Sequence, residues 1–210
     1  MSSSINTGDL IFVRPTPSKY SPLDDAILAT GKATLNWMSM NNYDNVDITQ
    51  PISSHVAMAW RHDTTDELYF VQALPGDGVI LTNEDDFFHS SIPEFTTYYI
   101  AKPIAELQEY SSIAAKIALE QIGKPYADDF QAPPDFFYCS SLVDWAYQQA
   151  TKKDEMFAPK DFTLIFAPEQ WWEKYYASMT PPQDLPSNVT GSNPTLVMHS
   201  QNLIFKEYIH

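Results

Sequence analysis

The one cysteine of the chain, Cys139, stands inside Phe136-Phe137-Tyr138-Cys139-Ser140-Ser141-Leu142-Val143-Asp144-Trp145-Ala146-Tyr147. A loop-forming stretch, Gln131-Ala132-Pro133-Pro134-Asp135, comes directly before it, and the apolar spacing after it is that of a helix. Cys139 is therefore expected at or near a helix N-terminus, where free backbone N–H groups and the helix dipole favour thiolate over thiol. That is the chemistry of a nucleophile. The same spacing puts Cys139, Leu142, Val143, Ala146 and Ala150 on one apolar stripe, so a small cysteine buried in the core fits the local pattern equally.

A thiol nucleophile needs a base, and the base needs a third group to fix its ring. Of the five histidines, His62, His89, His199 and His210 fall in loops or near the C-terminus, whereas His55 lies within an apolar strand pattern. Ser53 to Trp60 and Leu68 to Ala73 read as an antiparallel hairpin around a polar loop. If Trp60 pairs with Glu67, His55 lies opposite Gln72 on the same face. The Gln72 amide oxygen could then accept one ring proton and fix the tautomer, a role of orientation rather than charge.

The other elements must bring these residues together. Asp9 to Val13 reads as a buried strand, with Asp9 bonding nearby backbone N–H groups. Leu23 to Thr30 reads as a short helix started by Ser21 or Asp24 and ended or interrupted by Gly31, and Lys32 to Gln50 as an irregular excursion. Val79 to Leu81 is a third strand, Asn83 to Asp86 caps a helical turn, and Thr96 to Ala101 is a further strand. Ile104 to Ile122 reads as one helix ended by Gly123. A short helix begins at Pro168, Pro181 to Pro194 reads as a surface loop without core content, and Leu203 to Tyr208 closes the chain as a strand. Strands with segregated helices make an α+β fold, expected as a single domain over residues 1–210.

Five motifs in this order, Gly8-Asp9-Leu10-Ile11-Phe12, Ser54-His55-Val56-Ala57-Met58, Phe70-Val71-Gln72-Ala73, Gly123-Lys124-Pro125-Tyr126 and Tyr138-Cys139-Ser140-Ser141-Leu142-Val143, carry a resemblance. The chain resembles the NlpC-like superfamily of papain-like cysteine peptidases and amidases, in the circularly permuted branch typified by YiiX and YebB, where the histidine strand precedes the cysteine helix. The resemblance runs from Gly8 to about Tyr147. It implies a papain-like antiparallel sheet packed against helices, with the nucleophile at a helix N-terminus. Residue by residue it implies Cys139 as nucleophile, His55 as base and Gln72 as the orienting third residue. Tyr138 is similar to a tyrosine lining the substrate site, and Ser54 and Ser140 flank the base and the nucleophile as further candidate substrate contacts. Two departures stand out: the third position is often His or Glu in relatives, and many members carry Glu where this chain has Ser141.

The activity this implies is acyl transfer to water: hydrolysis of an amide in a small peptide, such as one derived from the cell wall. A lipid acyltransferase or thioesterase would use the same residues, and a binding protein with a merely buried Cys139 is the non-enzymatic alternative. Composition narrows the partners. The 210 residues carry a net charge of −15, which disfavours sequence-independent affinity for nucleic acid or anionic membranes. Cys and His never take zinc-site spacing, so neither metal nor cofactor is implied. No run is long enough to span a bilayer and no secretory leader is visible, which reads as a cytoplasmic protein.

Overall fold

A computed structural model describes residues 4–15, 22–41, 43, 46–90 and 96–209, with the backbone alone for 89–90 and 206–209. Ser21 and His210 lie outside the described residues. The centre is a six-stranded antiparallel sheet in the order β4-β3-β2-β1-β5-β6. Its strands are β1 (Leu10–Arg14), β2 (His55–Arg61), β3 (Leu68–Leu74), β4 (Gly78–Asn83), β5 (Thr97–Pro103) and β6 (Leu203–Ile209). The helices are α1 (Pro22–Met40), α2 (Ala105–Gln108), α3 (Ser111–Leu119), α4 (Cys139–Thr151), α5 (Glu169–Ala177) and α6 (Pro194–Met198). The expected α+β architecture is the observed one.

Alternation along the strands produces two apolar faces. Leu10, Phe12, Val56, Met58, Val71 and Ala73 face the helical layer and share one core with Leu142, Val143, Ala146 and Tyr147 of α4. Ile11, Val13, Ala57, Ala59 and Phe70 form the opposite face with Phe87, beneath the helical turn that Asn83 caps by accepting from the N–H of Asp86 at 2.8 Å. Tyr147 ties α4 to the strand start, its hydroxyl donating to Gly8 O at 2.8 Å, and Asp9 accepts from Asn6 N–H at 2.8 Å as expected.

Helix α1 is longer than its sequence pattern suggests. Gly31 does not end it, and the segment expected as irregular from Lys32 is helical to Met40. The glycine serves close packing instead: a Cβ there would lie 2.7 Å from Thr195 Oγ1 and 3.1 Å from Ile52 Cβ. The stretch expected as one helix from Ile104 to Ile122 is two, α2 and α3, and it is Ala114, Ala115 and Ala118 that meet the core while Ile113 and Ile122 are exposed. Pro168 caps α5 rather than entering its first turn.

Gly78 starts β4 with φ +74°, and a Cβ there would collide with the carbonyl oxygen of Lys124. That carbonyl accepts from Val79 N–H at 2.8 Å, and Val79 O accepts from Gly123 N–H at 2.9 Å, so the loop that leads toward Cys139 is fastened to the outer strand. Gly78→Ala is expected to cost about 2–4 kcal/mol, from the left-handed backbone plus the displaced pairing, read as a lower Tm and urea midpoint.

Candidate active site

Cys139 is the first residue of α4, where the sequence places it. The turn is built by Ser141, whose hydroxyl accepts from Tyr138 N–H at 3.0 Å and donates to Tyr138 O at 2.9 Å. Ser141 thus caps the helix. The backbone N–H groups of Val56, Ser140 and Cys139 favour the thiolate form of the sulfur. The first of these belongs to β2. The β2–β3 ladder stops at Met58↔Val71, and the Val56 N–H beyond it is the foremost of the groups that favour the thiolate.

The expected hairpin register is off by two residues. Trp60 pairs with Tyr69, not Glu67, because pairing runs on to His62, whose N–H donates to Glu67 O, and shortens the loop. A shift of two preserves the face of every side chain, so His55 and Gln72 become diagonal neighbours and still meet. His55 Nε2 and Gln72 Oε1 are 2.7 Å apart. Since a carbonyl oxygen only accepts, Nε2 carries the proton and Nδ1 is left with its lone pair. Gln72 is held in turn by Thr82, its Nε2 donating to Thr82 Oγ1 at 2.8 Å. Thr82, on β4, pairs with Phe70 of β3, so His55, Gln72 and Thr82 form a diagonal across three strands. Nothing in the sequence singles out Thr82, because its role depends on a register that spacing alone does not give.

Among the described residues no hydrogen bond links the Cys139 sulfur to the His55 ring. The two have one charged neighbour in common, Asp24 in the first turn of α1, which acts on both. Burial pushes the Cys139 thiol up to about 12, outweighing the three N–H groups that favour the thiolate. Burial likewise pulls His55 below its ordinary value, against the Gln72 hydrogen bond. The resting pair is thiol and neutral imidazole, not the thiolate that the helix terminus alone suggests. Dehydration of the sulfur outweighs the dipole.

A cavity of about 30 Å³ opens beside Cys139, walled by Ile27, Tyr126, Phe130, Leu164, Phe166 and Trp172. It has room for a water molecule or two. Trp172 closes it, its Nε1 donating to Thr30 Oγ1 at 2.8 Å, while the Thr30 hydroxyl donates to Ala167 O at 3.2 Å. Of the Trp pair at the start of α5, Trp172 is core and Trp171 is partly exposed. Tyr126 is a further residue of this wall, one to which sequence reasoning assigns no chemistry. Burial and the neighbouring Cys139 raise its phenol well above the ordinary range, so it stays a neutral O–H donor.

The candidate substrate contacts divide. Tyr138 lines the cavity and is buried, its hydroxyl accepting from Ser192 N–H at 3.0 Å. Gly191 permits this approach, since a Cβ there would collide with the Tyr138 hydroxyl. Ser140 is spent on the wall, donating to Ser192 O at 3.1 Å. Ser54 is buried with its hydroxyl unpartnered. The stretch expected to be surface loop thus contributes Ser192, Asn193 and Pro194 to the cavity wall and leads into α6. His62 is a loop residue as expected, whereas His199 is partly buried and hydrogen-bonded to Pro51 O at 2.8 Å. Among the described residues no three His, Cys, Asp or Glu side chains gather as a metal site, and no helix is long and apolar enough to cross a membrane.

A family described as "Permuted papain-like amidase enzyme, YaeF/YiiX, C92 family" matches residues 4–205. Among solved structures the chain is similar to that titled "metalloprotein yiiX" from Escherichia coli O157:H7, with a TM-score of 0.66 and 20% sequence identity over 96% of each chain. No curated protein matches the sequence.

Proposed function

Because the chain belongs to the permuted papain-like amidase family, we propose that it is a cysteine hydrolase that cleaves an amide or ester through Cys139, His55 and Gln72. The observation that carries the reading is the bond from His55 Nε2–H to Gln72 Oε1, which leaves Nδ1 as a lone-pair acceptor. In this mechanism the thiol passes its proton to Nδ1 as the sulfur engages the substrate carbonyl, so thiolate forms only as it attacks. The N–H groups of Cys139 and Ser140, with the Tyr126 hydroxyl as a neutral donor, stabilise the oxyanion. His55 then protonates the leaving group, and water, deprotonated by the same imidazole, releases the acyl group from sulfur. Gln72 stabilises only orientation, having no charge to set against the imidazolium.

Small peptides, including γ-linked or D-residue peptides of the cell wall, are the first substrates to try. The second reading, transfer or hydrolysis of a lipid acyl group, is favoured by the apolar wall of Phe130, Phe166 and Trp172 next to the sulfur. A panel of γ-D-glutamyl peptides, simple amides and acyl esters, assayed against wild type and Cys139→Ala, separates them. Loss of all turnover in Cys139→Ala with an unchanged Tm is expected, together with an acyl adduct on Cys139 in the intact mass of the wild type. Hydrolysis that persists in the variant would dismiss the proposal.

A further inference from the structure

One stripe of α1 lies outside the main core. Asp25, Leu28, Ala29, Lys32 and Ala33 recur at three- and four-residue spacing and so share one face of the helix. That face lines a groove of about 670 Å³, walled on the α5 side by Ala167, Pro168 and Trp171 and completed by Arg14 and Ile52. Leu28 and Ile52 are buried in a small cluster with Leu35, which gives the groove a fixed apolar base. The two alanines leave room beside it. The groove backs onto the Cys139 cavity: Thr30 and Trp172 line the cavity, whereas Trp171 and Ala167, whose carbonyl accepts from the Thr30 hydroxyl at 3.2 Å, line the groove.

Its charge runs against that of the chain. The protein carries 12 Lys and Arg against 27 Asp and Glu, yet Arg14 and Lys32 both line this groove. Among the described residues neither is in a salt bridge. The one acid of the lining, Asp25, has Lys174 of α5 acting on it. A cavity of several hundred Å³ with a mostly apolar lining and a few charged groups is the form of a small-molecule site. The guanidinium fork takes a carboxylate through two parallel hydrogen bonds, and an ammonium adds a point charge. Two cations and one carboxylate leave a single positive charge in the lining, which suits a monoanion better than a phosphate dianion.

We propose that this groove binds a small amphiphilic carboxylate, its apolar chain against Leu28, Ala29, Ala33 and Trp171 and its carboxylate held by Arg14 and Lys32. The site is separate from Cys139 and does not rest on the role of that residue in chemistry.

Isothermal titration of the full chain at pH 7.5 compares decanoate, decanamide and acetate, each below the concentration at which decanoate forms micelles. Decanoate should bind about tenfold more tightly than decanamide, the effect of charge-assisted hydrogen bonds at the head group, and acetate should give no measurable heat. Combining Arg14→Gln with Lys32→Gln should remove that advantage while leaving decanamide binding and the Tm nearly unchanged, because both side chains are exposed. Equal affinities for decanoate and decanamide, a decanoate affinity untouched by the double substitution, or no binding of decanoate would each overturn the proposal. Loss of decanoate binding in Cys139→Ala would overturn it too, by placing the ligand against the thiol.

Discussion

His55→Ala is expected to lower kcat by about 10³-fold, within the ~10²–10⁴ that a positioned general base supplies, with little change in KM. The reason is specific to this site. The Cys139 thiol is held up near 12 by burial, so unlike a thiolate preformed at a helix terminus it depends on the imidazole to lose its proton at neutral pH. Gln72→Ala should be milder, by about 10–100-fold, the effect of releasing a histidine from the partner that fixes its tautomer. Thr82→Val should follow Gln72→Ala in direction, because the Thr82 hydroxyl holds the amide at 2.8 Å, and Thr82→Ser should restore the rate. Stopped-flow hydrolysis of a p-nitrophenyl ester across pH 5–9 measures all four variants. The diagnostic is the order of the losses: a Gln72→Ala defect as deep as that of His55→Ala would mean that Gln72 does more than orient the ring.

Much of this arrangement is legible in the amino-acid sequence, for physical reasons that can be traced. The turn into α4 is local: prolines, then Tyr138 and Ser141 around the cysteine, so it can be read from neighbouring residues. The His55–Gln72 contact tolerates a misjudged register because strands repeat every two residues, and an error of two returns the same face. What cannot be read is non-local. Gly31 has the signature of a helix end, yet its missing Cβ admits Thr195 and Ile52 from distant parts of the chain. Pro181 to Pro194 has loop composition, yet Ser192 is buried because its backbone completes the hydrogen bonding of Tyr138 and Ser140. The charge state of the thiol is also hidden, since the helix dipole is visible in sequence and the depth of burial is not.

That charge state leads to the second large effect. In the resting enzyme, iodoacetamide should modify Cys139 at pH 7 about 10³-fold more slowly than a free cysteine, whose pKa is near 8.5, because a thiol at about 12 is almost entirely protonated. The rate should rise about tenfold per pH unit through pH 9 without levelling. A plateau beginning between pH 4 and 6 would contradict this and establish a preformed ion pair with His55. Access is a second barrier, since the cavity beside the sulfur is only about 30 Å³ and Trp172 is pinned across it by its bond to Thr30. The two barriers separate by their pH dependence. Trp172→Phe removes the indole donor while keeping an aromatic wall, so it should raise the alkylation rate at every pH and leave the slope alone. His55→Ala should leave the resting rate nearly unchanged, because the imidazole is bonded to Gln72 and not to the sulfur, even though the same substitution is expected to remove most of the turnover. A histidine indispensable to catalysis and nearly irrelevant to resting thiol reactivity is the combination that distinguishes proton transfer coupled to attack from an ion pair formed in advance.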